Sequence, residues 1–342
     1  MTAHAPSPDA RGLDERALLA RLIAGPVSGD ALAQETGLTR AAIWKRIAAL
    51  REAGVPIEAR AGRGYRLAAP VDLLDAATIL HALPPAARAR LSELEVAWSL
   101  ESTNTALLQA AVPPAGARVL LAERQTGGRG RLGRAWASPL AAHVYLSLAR
   151  GFSGGLARLG GLSLVAGVAV AQALHALGFV QVRLKWPNDI VVDDGAGLRK
   201  LGGLLVEGGG EFAGAARAVT GLGLNVRMPE AAAAAIDQPW CDLAGLAAPA
   251  AAPSRSAVAA AMLAHLLPAL DAFDADGLAP FLQRYAAFDV LSGRAIALHD
   301  AGNVAQGTAL GLADDGALRV RLDDGSERRV HAGEVSVRRS AA

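Results

Sequence analysis

Residues 121–136 read Leu-Ala-Glu-Arg-Gln-Thr-Gly-Gly-Arg-Gly-Arg-Leu-Gly-Arg-Ala-Trp, which is the least ordinary stretch of this sequence. Four glycines and three arginines lie between Gly127 and Arg134. Glycine lets the backbone approach a ligand closely, and arginine supplies fixed positive charge. The stretch therefore predicts a cradle for an oxyanion or a phosphate. The simpler alternative is a flexible surface loop.

A nucleotide-binding fingerprint of the usual kinds does not explain this stretch. Gly128, Gly130 and Gly133 formally match G-x-G-x-x-G, but a dinucleotide site needs a helix directly after the glycines and an acidic residue about 20 positions on. Pro139 follows instead, and no Asp or Glu occurs from Arg124 to Asn188. A G-K-[ST] sequence is also missing here, which excludes a P-loop.

Composition bounds the class of protein. The chain has 342 residues, 52% of them apolar, which is enough for two or three domains. The single cysteine excludes a disulfide framework, and the scattered histidines give no zinc spacing, so we expect no protein-ligated transition metal. The N-terminus does not look like a signal peptide, and Gly, Arg or Pro interrupt the apolar runs. We therefore expect a cytoplasmic protein with no membrane contact.

The first 69 residues predict a small DNA-binding domain. We expect residues 1–12, rich in Pro and Ala, to be a disordered lead-in and residues 13–69 to be a winged helix-turn-helix. Amphipathic patterns predict a first helix from Asp14, a second over Gly29–Gly37 and a third over Thr39–Ala53. Two extended runs around a Gly-rich turn then predict a wing.

Positive charge collects on the third helix and the wing. From Thr39 to Arg66 there are seven basic and two acidic residues, a net charge of +5. Contact with the DNA phosphates requires such a surface. The expected DNA-binding residues are Thr39, Arg40, Lys45, Arg46, Arg60 and Arg63. The alternative is a helical domain used only for protein contacts.

Residues 70–289 predict an α/β domain with polar residues at the ends of its strands. A strand over residues 93–100 runs into Ser102, Thr103 and Asn104, for which an ordinary helix N-cap is the alternative explanation. A long helix is expected over residues 159–177. Further candidates are Lys185, Asn188 and Asp189 at a break between two strands, and Lys200 with Gly202 and Gly203 at the start of another. The short alternating runs after residue 290 predict a small β-barrel over 290–342.

Taken together, these residues resemble the family of bifunctional biotin–protein ligases and biotin operon repressors. The resemblance covers nearly the whole chain and rests on five motifs in the family's order. They are Glu-Ser-Thr-Asn at 101–104, Gln125 through the Gly-Arg loop at 128–134 to Trp136, Lys-Trp-Pro-Asn-Asp at 185–189, Lys-Leu-Gly-Gly-Leu-Leu-Val-Glu at 200–207, and Gly-Leu-Gly-Leu-Asn-Val at 221–226. The implied fold is α+β, with a winged helix-turn-helix, a central mixed-sheet domain like class II synthetases, and an SH3-like C-terminal barrel.

The resemblance implies a reaction and a set of roles. Biotin would be joined to a lysine of the biotin carboxyl carrier protein of acetyl-CoA carboxylase, with ATP and Mg²⁺, through biotinyl-5′-AMP. The implied biotin-binding residues are Ser102, Thr103, Asn104, Gln125, Arg129, Gly130, Arg131, Lys200, Gly202 and Gly203. Those implied for ATP or the adenylate are Arg129, Arg131, Trp136, Lys185, Asn188, Lys200 and Asn225. The expected catalytic residues are Arg131, Lys185, Asp189 and Lys200, with Asp189 orienting or deprotonating the acceptor amine or binding Mg²⁺.

The resemblance also implies that the adenylate-bound protein dimerises and occupies an operator. Two departures from the family's pattern stand out: Leu132 replaces an arginine that relatives often carry, and the turn at residues 193–197 is slightly long.

Two other functions stay open. One is a lipoate–protein ligase of the same fold, which would normally lack the winged helix and the Gly-Arg loop. The other is a regulator that senses biotin or a nucleotide without catalysis.

Overall fold

The computed structural model describes residues 10–60, 62–153, 155–210, 216–247, 252–300, 303–331 and 333–337. Residues 1–9 of the expected lead-in lie outside these ranges. The first helix begins at Ala10, so residues 10–12 are helical rather than part of a lead-in. The expected fold class is confirmed: an N-terminal helix-turn-helix precedes a mixed sheet with helices, and an antiparallel sheet follows.

The N-terminal unit has the expected order of three helices and a wing. It consists of α1 (Ala10–Ile23), α2 (Gly29–Thr36), α3 (Arg40–Glu52), β1 (Ile57–Arg60) and β2 (Gly64–Leu67). The side chains of Ser28 and Thr39 accept hydrogen bonds from the backbone N–H groups of Ala31 and Ala42, which caps α2 and α3. β1 and β2 pair antiparallel as the wing.

A mixed seven-stranded sheet forms the centre of the molecule. Its strands are β3 (Leu91–Leu100), β4 (Ala117–Gln125), β5 (Val144–Phe152), β6 (Val182–Lys185), β7 (Asp189–Asp193), β8 (Leu198–Gly210) and β9 (Ala216–Leu224). The spatial order is β3-β4-β5-β9-β8-β7-β6. β3 and β4 run parallel and the other neighbours antiparallel. Parallel pairing brings the ends of β3 and β4 to the same edge of the sheet.

Helices cover and extend this sheet. They are α4 (Ala76–Ala82), α5 (Pro85–Arg88), α6 (Thr103–Gln109), α7 (Leu162–Ala176), α8 (Glu230–Ala233), α9 (Leu243–Leu246), α10 (Arg255–Asp276) and α11 (Ala279–Ala286). The helix expected over residues 159–177 is interrupted, because a short 3₁₀ turn over Leu156–Leu159 is separated from α7 by Gly161 in the left-handed region, with φ 85°. α7 is buried nearly all round, as its apolar sequence predicts.

α10 differs from the expectation that every apolar run is too short to span a membrane. By length and composition this 22-residue helix could cross one, with a hydropathy of 1.5 over its most apolar window. However, 61% of that window is buried inside the protein. The helix packs against α7 and α4 in the main core. A helix buried in a protein core can be equally long and apolar, so the packing of α10 explains its composition.

The C-terminal unit is a five-stranded antiparallel sheet. It contains β10 (Ala295–Asp300), β11 (Asn303–Leu312), β12 (Leu318–Leu322), β13 (Glu327–Val330) and β14 (Glu334–Val337), in the spatial order β13-β12-β11-β10-β14. The alternating runs at 295–299, 305–312, 317–322 and 327–331 predicted the first four strands, but no run predicted β14. The indole N–H of Trp186 donates to the carbonyl of Gly316 at 3.1 Å, which joins this sheet to the central domain.

The N-terminal unit is joined to the segment that follows the glycine loop. The N–H of Leu140 donates to the carbonyl of Ala53 at the end of α3, at 2.7 Å. A Cβ on Gly54 would lie 2.6 Å from Cβ of Pro139, so only glycine fits at this contact. Leu140 and Ala141 are buried in the same hydrophobic cluster as the three helices. The core of the N-terminal unit therefore includes residues of the central domain.

A buried arginine ties three segments together beneath this joint. The guanidinium of Arg255 donates to Glu123 Oε2 at 2.7 Å, to the carbonyl of His143 at 3.1 Å and to the carbonyl of Asp72. Glu123 in turn accepts from the N–H of Leu74 at 2.7 Å. Arg255 and Glu123 are 1% and 0% exposed, so each neutralises the other's charge in the core. The segment leaving the N-terminal unit is thereby fixed to β4, the strand that enters the glycine loop.

Candidate active site

Four of the polar candidates lie together where β3 and β4 end. Ser102 caps α6, and Thr103 and Asn104 begin this helix. The backbone N–H of Thr103 donates to Gln125 Oε1 at 2.9 Å, and its hydroxyl lies 3.1 Å from the same oxygen. Ser102, Thr103 and Asn104 are each only 4% exposed. Polar groups so deeply buried must have partners, and here they form a prearranged set of donors and acceptors.

Two residues that the sequence did not single out complete this polar set. The Ser147 hydroxyl lies 2.7 Å from Thr103 Oγ1 and 2.6 Å from Asn104 Oδ1. The Asn104 amide donates to Glu207 Oε2 at 2.8 Å. A Cβ on Gly221 would lie 2.2 Å from Asn104 Oδ1, so this motif glycine makes room for the amide. A lone serine within the apolar β5 was the one available signal for Ser147.

The glycine loop is folded rather than extended. The N–H of Gly127 donates to the carbonyl of Glu101 at 2.9 Å, and the N–H of Trp136 donates to the carbonyl of Gly128 at 2.9 Å. One guanidinium nitrogen of Arg129 lies 3.0 and 3.1 Å from the two carboxylate oxygens of Glu207. The loop is therefore fastened to Glu101, directly after β3, and to Glu207 within β8, beside the polar set.

Leu132 has an unusual position at the tip of this loop. Its φ is 56°, in the left-handed region, and its side chain is 78% exposed. A non-glycine residue in that region is uncommon and carries strain. The loop tip thus presents an apolar side chain to solvent at the position where the sequence analysis noted leucine in place of an arginine.

A second group of candidates meets on the other side of the loop. Lys200 Nζ lies 2.7 Å from Asp189 Oδ1 and 5.6 Å from the centre of the Trp136 ring. Arg131 reaches from the loop to donate to Asn188 Oδ1 at 3.3 Å. The side chains of Lys200 and Asp189 are each 21% exposed, which leaves both open to a ligand. Lys200 thus lies beside an aromatic face, and Arg131 contacts the residue next to Asp189. The site therefore supplies two cations and an aromatic ring, as an acyl-nucleotide would require.

Motif glycines provide the floor beneath these side chains. A Cβ on Gly223 would lie 2.6 Å from Cε2 of Trp136, so the indole rests directly on the strand. A Cβ on Gly203 would lie 3.4 Å from Cε of Lys200, and one on Gly202 would lie 2.8 Å from the carbonyl of Gly223. Any larger residue at 223 would displace the ring.

Two predicted nucleotide-binding residues have different positions. Lys185 stands opposite Asp189 in the β6–β7 register, so the two side chains share a face of the sheet. Asn225, by contrast, is 5% exposed, and its amide donates to the carbonyls of Cys241 at 3.1 Å and Lys200 at 3.4 Å. The Asn225 side chain therefore holds the segment around Cys241 beside Lys200 rather than facing the cleft.

The candidate DNA-binding residues lie far along the chain from this cleft. Thr39 caps α3, Arg40 and Lys45 are exposed on that helix, and Arg46 is half-buried. Arg60 and Arg63 are exposed on the wing. Arg40 is ion-paired with Asp30 at 3.1 Å and Arg60 with Glu58 at 3.5 Å. Within the described ranges, no group of three or more His, Cys, Asp or Glu residues is arranged to hold a metal ion.

Three family models match the chain in order. The HTH domain model matches residues 15–66, the Biotin/lipoate A/B protein ligase family model matches residues 96–225, and the Biotin protein ligase C terminal domain model matches residues 291–338. The three matched segments correspond to the helix-turn-helix, to the part of the sheet that holds the cleft, and to the C-terminal sheet.

Curated relatives and solved structures agree with these models. The Bifunctional ligase/repressor BirA of Escherichia coli is 37% identical over 313 residues, which is 91% of this chain and 92% of that protein. The Biotin--[acetyl-CoA-carboxylase] ligase of Mycobacterium tuberculosis is 38% identical over 181 residues, 51% of this chain and 62% of that protein. The structure of biotin protein ligase from Aquifex aeolicus in complex with biotin and ATP superposes with a TM-score of 0.59 and 26% identity, covering 73% of this chain and 100% of that one.

Proposed function

The chain belongs to the family of bifunctional biotin–protein ligases and biotin repressors, and from this membership we propose how its cleft performs the ligase reaction. The enzyme joins biotin to a lysine of a biotin carrier protein at the expense of ATP, through biotinyl-5′-AMP. The observation that carries the proposed site is the convergence of Arg131, Trp136 and Lys200 beside the buried polar set around Thr103 and Asn104.

Biotin binding is assigned to the buried polar set and the loop that covers it. Its uncharged ring needs donors and acceptors placed in advance, which Ser102, Thr103, Asn104 and Gln125 provide. The backbone of Arg129, Gly130 and Arg131 closes over the ring, and the small Gly202 and Gly203 allow close approach below. Closure also keeps water from the activated intermediate.

In the first step the biotin carboxylate attacks the α-phosphorus of ATP, and pyrophosphate leaves. Both reactants are anions, so the barrier falls mainly through positive charge placed where negative charge develops. Arg131 and Lys200 provide this charge, and Lys185, Asn188 and Trp136 position the nucleotide. Asn225 supports the nucleotide site indirectly, because it holds the backbone next to Lys200.

Mg²⁺ fits the chemistry of this cleft. This ion is usually bound by one or two carboxylates together with substrate phosphates. Asp189 is the carboxylate that borders the cleft beside Lys200 and Asn188, and it would hold the ion with the triphosphate. Bound there, Mg²⁺ would neutralise charge on the phosphates.

In the second step the ε-amine of the acceptor lysine attacks the carbonyl carbon of the mixed anhydride, and AMP leaves. The nucleophile is brought by the carrier protein, so this chain needs to position it and accept its proton. Asp189 is the carboxylate nearest to Lys200 in the cleft, and it is our candidate for orienting or deprotonating the incoming amine.

The same chain acts as a repressor through its helix-turn-helix, and we propose three domains with boundaries near residues 69 and 289. We further propose that the protein meets the carrier protein and the operator DNA in the cytoplasm. In this proposal the adenylate-bound form is a homodimer. The pairing of β8 with β7 ends at Gly203, whereas β8 continues to Gly210. The N–H of Leu204 still donates to the carbonyl of Asn188, and the carbonyl of Leu205 accepts from the Asn104 amide. Beyond these contacts, the edge described over residues 206–210 supports pairing with a second copy.

Exchange of labelled pyrophosphate into ATP tests the proposed function. We expect exchange with biotin and none with lipoate, because the glycine loop and polar set are built for the biotin ring. Exchange that requires lipoate would identify a lipoate ligase instead. Binding of biotin without any pyrophosphate exchange would indicate a regulator that senses biotin without catalysis.

A further inference from the structure

Trp44 is the exposed tryptophan of this chain. Its side chain is 62% exposed, whereas the other four tryptophans, all in described segments, are half-buried or buried. It lies in the middle of α3, the helix that a helix-turn-helix places in the DNA major groove. A large exposed aromatic side chain adds nothing to a core, and tryptophan is enriched where another molecule binds.

Ala41, Trp44 and Ala48 form a short apolar strip along α3, with the exposed Arg40 and Arg51 beside it. At about 100° per residue, Ala41, Trp44 and Ala48 fall within about 60° of each other around the helix axis. Ile43 and Ile47, about 100° and about 60° from Trp44 around the axis, are buried against the rest of the unit. Because alanine is small, a partner can approach the helix closely on either side of the indole.

The charge around the strip selects duplex DNA as the partner. Lys45 is exposed next to Trp44, and the segment from residue 39 to 66 carries a net charge of +5. Basic side chains of this kind contact phosphates and fix the position of the helix, but they do not identify a base sequence. The apolar feature of a base edge in the major groove is the 5-methyl group of thymine.

We propose that the Trp44 indole packs against a thymine methyl group in the operator, and so determines sequence specificity. This inference rests on the repressor half of the proposed function. The other candidate DNA-binding side chains of this surface are charged or small and polar. Trp44 adds an apolar contact with a base.

The test uses the full-length protein with biotin and ATP, and a duplex that this protein selects from a random DNA library. Trp44→Ala should bind the selected duplex roughly tenfold more weakly. Its binding to an unrelated duplex of equal length, and the dependence of binding on salt, should stay unchanged. Biotin ligation should also be unchanged, which shows that the variant is folded. Lys45→Ala is the matched control and should weaken binding to both duplexes alike.

Replacing single thymines of the selected duplex by deoxyuridine identifies the contact. We expect the wild-type protein to lose about threefold to fourfold in affinity at one thymine in each half-site. Trp44→Ala should not respond to that replacement. The proposal is overturned if Trp44→Ala weakens both duplexes equally, or if the wild-type protein ignores every deoxyuridine. A change in self-association alone would assign the strip to a second copy, and failure to select any duplex would contradict the repressor function itself.

Discussion

Arg129 of the glycine loop is ion-paired with Glu207 of β8, with one guanidinium nitrogen 3.0 and 3.1 Å from the two carboxylate oxygens. Glu207 also accepts the Asn104 amide at 2.8 Å. One carboxylate thus joins the glycine loop to the buried polar set. Glu207 is the link through which loop position and the buried set are coupled.

We predict that Glu207→Gln increases the rate of biotin release about threefold. The pair is partly exposed, so its loss weakens the closed loop only modestly. Stopped-flow measurement of biotin dissociation checks this effect. Glu93→Gln, which breaks a surface pair with Arg118 at 3.0 Å, is the matched control and should not change the rate. Equal rates in wild type and Glu207→Gln would remove Glu207 from loop positioning.

Arg131→Gly should release the adenylate at least tenfold faster, because the guanidinium that bridges the loop to Asn188 is lost. Activated biotin would then escape and label lysines indiscriminately. Mass spectrometry of a bystander protein measures the labelling. Leu132→Gly introduces flexibility at the neighbouring position without removing charge, and it should remain selective. If both variants label bystanders equally, loop flexibility rather than the arginine controls retention.

Lys200→Met should slow pyrophosphate formation by roughly 10²–10³, the usual effect of removing one well-placed donor. Asp189→Asn tests what the 2.7 Å pair does. If Asp189 acts by holding Lys200, Asp189→Asn should slow the same step. The variant that carries both substitutions should then be no slower than Lys200→Met alone. The two half-reactions are measured separately, with preformed adenylate for the second. An effect of Asp189→Asn confined to the transfer step would assign it to the acceptor amine.

His143 predicts a dependence of stability on pH. Burial lowers its pKa from 6.5 to about 3, and its neutral ring accepts the N–H of Val226 at 3.1 Å. Between these two values the unfolded chain binds more protons than the folded one, so the free energy of unfolding falls as pH falls, by at most about 1.4 kcal/mol per pH unit from this group. His143→Asn keeps an acceptor but does not titrate. Urea unfolding across this window should show a shallower slope for the variant, and identical slopes would contradict the prediction.

Local sequence patterns predicted a helix or strand correctly where its formation depends mainly on its own residues. The capped α2 and α3, the Gly-rich wing and the break at Pro187 all appear where the sequence predicts them. The helix expected from residue 159 failed at Gly161, because apolar periodicity does not reveal a left-handed backbone. β14 was missed although Glu334–Val337 alternates polar and apolar residues, because a run of four residues is too short to stand out and depends on pairing with β10.

The candidate site was predictable only in part for a similar reason. Motifs identified Thr103, Arg131 and Lys200, whose neighbours in sequence are distinctive. Glu207 ends the 200–207 motif, but its contact with Asn104, 103 positions away, leaves no local pattern. Asn225 carries a motif signal, yet its amide serves the backbone around Cys241. A motif indicates that a residue type is required without saying what its side chain touches.

The burial of Leu140 and Ala141 among the three N-terminal helices has a practical consequence for dissecting the protein. A ligase fragment that starts near residue 70 would leave both side chains without cover, directly after the glycine loop. Such a fragment would be a damaged enzyme rather than a simpler one. Any loss of turnover after truncation would therefore say little about operator binding.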